Sequence, residues 1–196
     1  MATAGVDEVG RGALFGPVVA AAVILKPGME LWLKDQGVSD SKKLTPKKRQ
    51  NLVPIIHSAA IDAQIGWVSV RQIDRINILQ ASLQAMRQAI ERLLPPPTQC
   101  LVDGNQPIPG LRIDQRTVVK GDQVVVEIAA ASILAKVWRD TLIIRLANRY
   151  PGYDLASNKG YGSPKHLAGL QKLGTTRYHR RSFKRCQQLS LLDKPV

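Results

Sequence analysis

Gly5-Val6-Asp7-Glu8-Val9-Gly10-Arg11-Gly12, continued by Ala13-Leu14-Phe15-Gly16-Pro17, is the stretch from which the rest of this chain can be read. A short apolar run ends on two adjacent carboxylates, and a glycine-arginine-glycine turn follows at once. A strand that stops this way delivers acids to one edge of a sheet, next to backbone that lacks Cβ atoms. Acids placed there in a strongly basic chain point to a divalent cation working on a polyanion.

The chain has 196 residues, enough for one domain with a core that needs no staples. Twenty-eight Lys and Arg against 15 Asp and Glu give a net charge of +13, which favours nucleic acid as partner. The longest apolar run, Val18 to Leu25, is far too short to span a bilayer and stops at Lys26-Pro27. No secretory signal pattern opens the sequence, so a cytoplasmic protein is expected. Cys100 and Cys186 are too few and too scattered for a disulfide framework or a zinc cluster, and read as reduced thiols. No feature demands more than a monomer.

Outward from the opening stretch, Thr3 to Val9 and Gly16 to Leu25 read as strands, the second buried on both faces. Thr45 and Pro46 read as N-cap and first residue of a helix. Ala63 to Val70 reads as a third strand. Ile73, Ile76, Leu79, Leu83, Met86, Ile90 and Leu93 recur at helical spacing, which predicts one amphipathic helix over Val70 to Leu94, stopped by Pro95-Pro96-Pro97. Short strands are expected at Gln99 to Val102 and Thr117 to Val119, then a long helix from Val126 to Tyr150. Shorter helices follow at Ser163 to Leu173 and Ser182 to Leu189. The order implies an α/β domain, a mixed sheet flanked by helices.

Asp7-Glu8, Asp103 and Asp122 all fall at expected strand ends, so one sheet edge can gather them. Four carboxylates suit two divalent ions and phosphodiester hydrolysis. An all-oxygen donor set favours Mg²⁺ or Mn²⁺ over zinc. Taken singly, each acid is also an ordinary turn residue. Side-chain alternation sends Asp7 and Glu8 to opposite faces, so a strand end or bulge is expected there. Gly10-Arg11-Gly12 fails the dinucleotide fingerprint, because Phe15 stands where a glycine is needed and a strand follows. It suits close backbone approach to a sugar, whose 2′-hydroxyl distinguishes RNA from DNA, with Arg11 gripping a phosphate.

These residues resemble the opening of the ribonuclease HII family, the type 2 ribonucleases H. Asp40-Ser41-Lys42-Lys43-Leu44 does too, as does the run from Ile73 to Ser82. Val102-Asp103-Gly104, Lys120-Gly121-Asp122, the run from Ile128 to Val137, and Lys159-Gly160-Tyr161-Gly162 with His166-Leu167 continue the likeness in order. The resemblance implies a ribonuclease H-like fold over residues 1–196, with a C-terminal helical substrate-binding extension from about residue 151. It implies a metal-dependent endonuclease acting on RNA–DNA hybrids and on single ribonucleotides in duplex DNA. The cut would lie 5′ of the ribonucleotide, leaving a 3′-hydroxyl and a 5′-phosphate. It carries metal binding onto Asp7, Glu8, Asp103 and Asp122, junction sensing onto Gly10, Arg11 and Gly12, and sugar stacking onto Tyr161. Lys42, Lys43 and Asn77 follow as substrate contacts. Arg11 and the short N-terminus argue against the sibling ribonuclease HIII. A binding module without catalysis is the reading from another class, and four retained acids oppose it.

Arg177, His179, Arg180, Arg181, Lys184 and Arg185 are expected to track a duplex backbone. Lys136 and Arg139 read as helix-surface charges, and Trp32, Trp67 and Trp138 as packing residues. His57, His166 and His179 lack metal-like spacing. Gln188-Leu189-Ser190-Leu191-Leu192 resembles the peptide by which bacterial replication proteins dock on the sliding clamp; packing of a last helix is the simpler reading.

Overall fold

The computed structural model describes residues 2–190, with the side chains of 189 and 190 outside the description. Leu191 and Leu192 of the clamp-like peptide therefore lie outside the described residues. The elements are β1 (Thr3–Val9), β2 (Val18–Leu25), α1 (Met29–Asp35), α2 (Pro46–Ala59), β3 (Ala60–Val68), α3 (Val70–Ile76), α4 (Ile78–Glu91), β4 (Gln99–Asp103) and β5 (Asp114–Val118). They continue with α5 (Gly121–Val124), α6 (Val126–Arg149), α7 (Leu155–Asn158), α8 (Pro164–Leu173) and α9 (Lys184–Ser190). A single 3-10 turn spans Ser41–Lys43.

The strands form one sheet in the order β3-β2-β1-β4-β5. β3, β2 and β1 run antiparallel to their neighbours, and β1, β4 and β5 run parallel. This is the mixed, helix-flanked α/β sheet that the sequence implies. β2 is buried along its whole length. Val18, Ala20, Ala22 and Ile24 face α4, while Val19, Ala21, Val23 and Leu25 face α6. Full burial of each larger aliphatic side chain is worth about 1.5–3 kcal/mol. α6 lies close over β1 because Gly5 has no side chain: a Cβ there would meet the Glu127 backbone at 2.3 Å. A third apolar cluster, with Phe15, Ile143, Tyr153, Leu155, Leu170 and Cys186, ties the C-terminal helices to the end of α6 and to the loop after β1.

Several expectations need correction. The helix expected over Val70 to Leu94 is two helices, broken at Asn77, whose φ is +67°. The apolar spacing runs through the break because both pieces bury the same side. Asparagine tolerates positive φ better than most side chains, and its Oδ1 accepts the Gln80 N–H at 3.1 Å to cap α4. β3 starts three residues before its expected place and yields to the Ser69 cap at its end. β5 lies earlier than Thr117 to Val119, and α1 was not expected. Thr45 and Pro46 do open α2, with the Lys48 N–H donating to Thr45 Oγ1 at 3.3 Å. Trp32, Trp67 and Trp138 are 41%, 47% and 37% exposed, so whatever they pack against, they do so outside the core.

Candidate active site

The acids of β1 meet at the strand end without a bulge. The β1–β2 register is continuous through Asp7↔Ala21, Glu8↔Ala20 and Val9↔Val19. Asp7 therefore faces α6, on the side of Ser132. Glu8 faces α4 and shares a small cavity with Arg11, Leu79, Ser82, Met86 and Asp103. β4 pairs with β1 up to Val6↔Val102, which leaves Asp103 one step on, beside Asp7. Carboxylate oxygens of Asp7, Glu8 and Asp103 all lie within 4.8 Å of one another. The two faces of the strand thus contribute to one cluster.

Asp122 stands beside this cluster rather than in it. It sits in the helical turn α5, not at a strand end, and is 3% exposed. Its Oδ2 lies 3.1 Å from Lys42 Nζ. The preceding peptide binds the cluster directly, since the Gly121 N–H donates to Asp103 Oδ1 at 2.7 Å. The Lys42 turn is held in place from below: Asp40 caps it by accepting the Lys42 N–H, Arg49 donates to the Ser41 carbonyl at 2.8 Å, and Ser41 Oγ lies 2.7 Å from Ser132 Oγ. Lys43 is exposed on the same turn.

Burial is the first cause that raises the Asp7 carboxyl well above its ordinary value, with the Glu8 and Asp103 charges adding to it. Burial also raises Glu8, against the opposing pull of Arg11. Asp103 is raised by burial and by Asp122, and the Gly121 N–H works the other way. Three desolvated carboxylates this close repel one another, and a divalent cation removes both penalties. The donors are all oxygen, which fits Mg²⁺ or Mn²⁺.

The turn beside the acids divides into a fixed and an open part. Gly10 adopts φ +90° and lies against Arg139, whereas a Cβ on Gly12 would meet nothing within 4 Å. Arg11 is exposed and reaches Glu8 at 3.2 Å. Beneath the turn, Arg139 donates to the carbonyls of Phe15, Pro17 and Lys159 at 2.9, 3.0 and 2.9 Å. Arg180 donates to Gly16 and Arg11 carbonyls at 3.0 and 2.9 Å. Burial pulls both guanidinium groups below their ordinary values. Arg139 is thus no surface charge, and Arg180 and His179 are not part of a surface that could track a duplex: all three are buried. Arg177, Arg181, Lys184 and Arg185 remain exposed. A signal for Arg139 was present, since it lies four residues from both Ala135 and Ile143, each fully buried on α6.

Tyr161, between α7 and α8, is half-buried, with Lys136 Nζ and Arg139 Cζ each 5.5 Å from its ring centre. Arg139 therefore touches both the Gly10 turn and Tyr161. Asn77 is exposed, and its Oδ1 caps α4.

The model of one protein family, ribonuclease HII, matches residues 4–186. The chain belongs to the ribonuclease HII family. It is 64% identical over 190 residues to the ribonuclease HII of Acaryochloris marina, covering 97% of this chain and 96% of that protein. It superposes on the crystal structure of ribonuclease H2 from Pyrococcus horikoshii OT3 with a TM-score of 0.85, 27% identity and 98% of both chains covered. The ribonuclease HII in the PCNA complex from Archaeoglobus fulgidus gives a TM-score of 0.80 at 27% identity, over 94% of this chain and 96% of that one. As a ribonuclease HII the chain is a type 2 ribonuclease H, an endonuclease. That assignment rules out the binding module and the HIII sibling considered above.

Proposed function

We propose that this ribonuclease HII hydrolyses the RNA strand of RNA–DNA hybrids and cuts 5′ of single ribonucleotides embedded in duplex DNA. Its products carry a 3′-hydroxyl and a 5′-phosphate, as ribonucleotide excision and primer removal require. The observation that carries the reading is the gathering of Asp7, Glu8 and Asp103 within 4.8 Å, with Arg11 of the glycine-flanked turn reaching Glu8 at 3.2 Å. Asp7, Glu8, Asp103 and Asp122 would hold Mn²⁺ or Mg²⁺, with two ions during catalysis. Such ions supply an activated water and stabilise charge on the transferring phosphoryl group.

The chain's own residues bind and orient. Gly12 keeps a side chain away from the sugar and Gly10 lets the turn settle on Arg139, so the peptide groups of Gly10, Arg11 and Gly12 approach a 2′-hydroxyl, both donor and acceptor. Arg11 extends its planar fork from the same turn toward a phosphate. Lys42 and Lys43 present ammonium groups at the neighbouring 3-10 turn. Tyr161 offers its ring to the sugar beyond the scissile phosphate, and the helices from about residue 151 onward form the substrate-binding extension. Asn77 caps α4 through Oδ1, and its exposed side chain would be a further substrate contact.

The test is a product map. A labelled DNA duplex with one internal ribonucleotide is incubated with Mn²⁺ or Mg²⁺, beside Asp103→Asn. A single cut 5′ of the ribonucleotide, lost in the variant, is expected. Cuts confined to long hybrid would overturn the junction reading.

A partner reading rests on the Archaeoglobus relative, whose structure is a complex with PCNA. Gln188 to Leu192 would bind a sliding clamp here. Deleting residues 188–196 abolishes clamp pull-down and spares hydrolysis if this holds; unchanged pull-down refutes it.

A further inference from the structure

His166 and His179 are buried, 0% and 1% exposed, and no step above uses them. Their hydrogen bonds run in one direction. The Thr176 backbone N–H donates to His179 Nδ1 at 2.9 Å, so that nitrogen carries a lone pair. A neutral His179 then bears its proton on Nε2, which lies 3.2 Å from His166 Nε2. His166 Nε2 must accept, which puts the His166 proton on Nδ1. That nitrogen lies 2.8 Å from the Tyr161 carbonyl oxygen, a group that only accepts. Each bond fixes the tautomer that the next one needs.

Neutrality of both rings follows from their surroundings. Burial pushes His179 down to about 3, with the His166 and Arg181 charges acting the same way. Burial also lowers His166, against its bond to Tyr161 and the Asp154 charge. Aromatic neighbours hold the rings in place: Phe15 and Tyr153 lie 4.9 and 4.8 Å from His179, centre to centre. The receiving end is equally ordered. The Tyr161 carbonyl also accepts the Ser163 N–H at 2.8 Å, and the Tyr161 N–H donates to the Asn158 carbonyl at 3.0 Å.

We propose that His166 and His179 are positioning residues for Tyr161. The imidazole pair carries a hydrogen bond from the Thr176 segment to the Tyr161 peptide, and so seats the Tyr161 ring against the nucleic acid. The inference rests on the reading of Tyr161 as a substrate contact. Phe15, at the far end of the opening loop, packs on His179, so the loop that carries the junction-sensing turn and the stacking ring share one buried support.

Two variants separate positioning from packing. In His166→Asn the side-chain amide takes roughly the place of Nδ1 and still donates to the Tyr161 carbonyl. In His166→Gln the longer side chain reaches the place of Nε2, accepts from His179, and leaves Tyr161 without its donor. Steady-state kinetics on the single-ribonucleotide duplex should show KM raised on the order of tenfold for H166Q, with kcat within about twofold. H166N should stay within about threefold of wild type in both. Equal KM values in the two variants would overturn the proposal. Nitrogen-15 NMR of the wild-type protein, which requires no variant to fold, should find Nδ1–H on His166 and Nε2–H on His179; opposite tautomers overturn it as well. Tyr161→Ala, run in parallel, should raise KM at least as much as H166Q. An unchanged KM there refutes the substrate-contact reading and the proposal with it. A raised KM in Y161A beside equal H166N and H166Q values refutes the positioning role alone.

Discussion

Gly10 lies so close to the guanidinium of Arg139 that a β-carbon at residue 10 would come within 2.2 Å of Arg139 Nε. The arginine cannot withdraw, because its nitrogens are committed to the carbonyls of Phe15, Pro17 and Lys159. The turn that flanks the acids is therefore rigid on its inner side and open on its outer side.

Gly10→Ala should accordingly cost about 2 kcal/mol or more in chemical denaturation, combining a positive φ with a clash against a buried cation. Gly12→Ala adds a methyl where nothing lies within 4 Å, and should leave stability within about 0.5 kcal/mol. Its effect should appear instead as weaker cleavage at a single ribonucleotide. Comparable destabilisation by the two substitutions would show that Arg139 does not hold the turn.

Asp7→Asn should raise the melting temperature of the metal-free protein while removing activity. In the unfolded chain Asp titrates near 3.8 and Glu near 4.5, and the folded cluster holds Asp7, Glu8 and Asp103 above those values. The folded protein thus binds protons more readily, and its stability falls as pH rises through the raised values. In EDTA, the gap between D7N and wild type should widen over that rise. Mn²⁺ should reverse the order by stabilising wild type and not D7N. Thermal melts with and without metal check both signs.

Lys42→Ala should act in opposite directions on metal and substrate. Lys42 is largely exposed, and its ion pair with the buried Asp122 adds little to stability. Without the ammonium, Asp122 offers an unshared carboxylate, so Mn²⁺ should bind more tightly in calorimetry. KM for the nucleic acid should rise, because a phosphate partner is lost. A parallel loss of both affinities would place Lys42 outside this site.

Asn77→Ala tests a structural role for a residue that the family resemblance assigns to substrate. Loss of the cap, and of the side chain that tolerates φ +67°, should cost about 1–2 kcal/mol. KM should rise as well. An unchanged KM in the destabilised variant would leave Asn77 as a cap alone.

The acidic edge was legible in the order of residues because its causes are local. Asp7-Glu8 end an apolar run, and Asp103 ends another at a glycine, so parallel neighbouring strands bring them together. β2 was legible for the same reason: an unbroken run of Val, Ala, Ile and Leu has only one comfortable place, between two layers of helix. Asn77 was not, since an apolar stripe continues across a helix break whenever both pieces bury the same side.

Where charge ends up was decided by tertiary structure. Arg139 and Arg180 look like any other basic residues in a chain of net charge +13, yet both are buried under the opening loop. Apart from the Lys159 carbonyl, their partners are backbone carbonyls of residues more than 100 positions away, for example Phe15 for Arg139 and Gly16 for Arg180. No side-chain pattern announces a carbonyl acceptor, because every residue has one. The sequence by itself therefore determined the sheet, its acids and the family; only the folded chain determined which cations stay at the surface and which are buried to hold the opening loop.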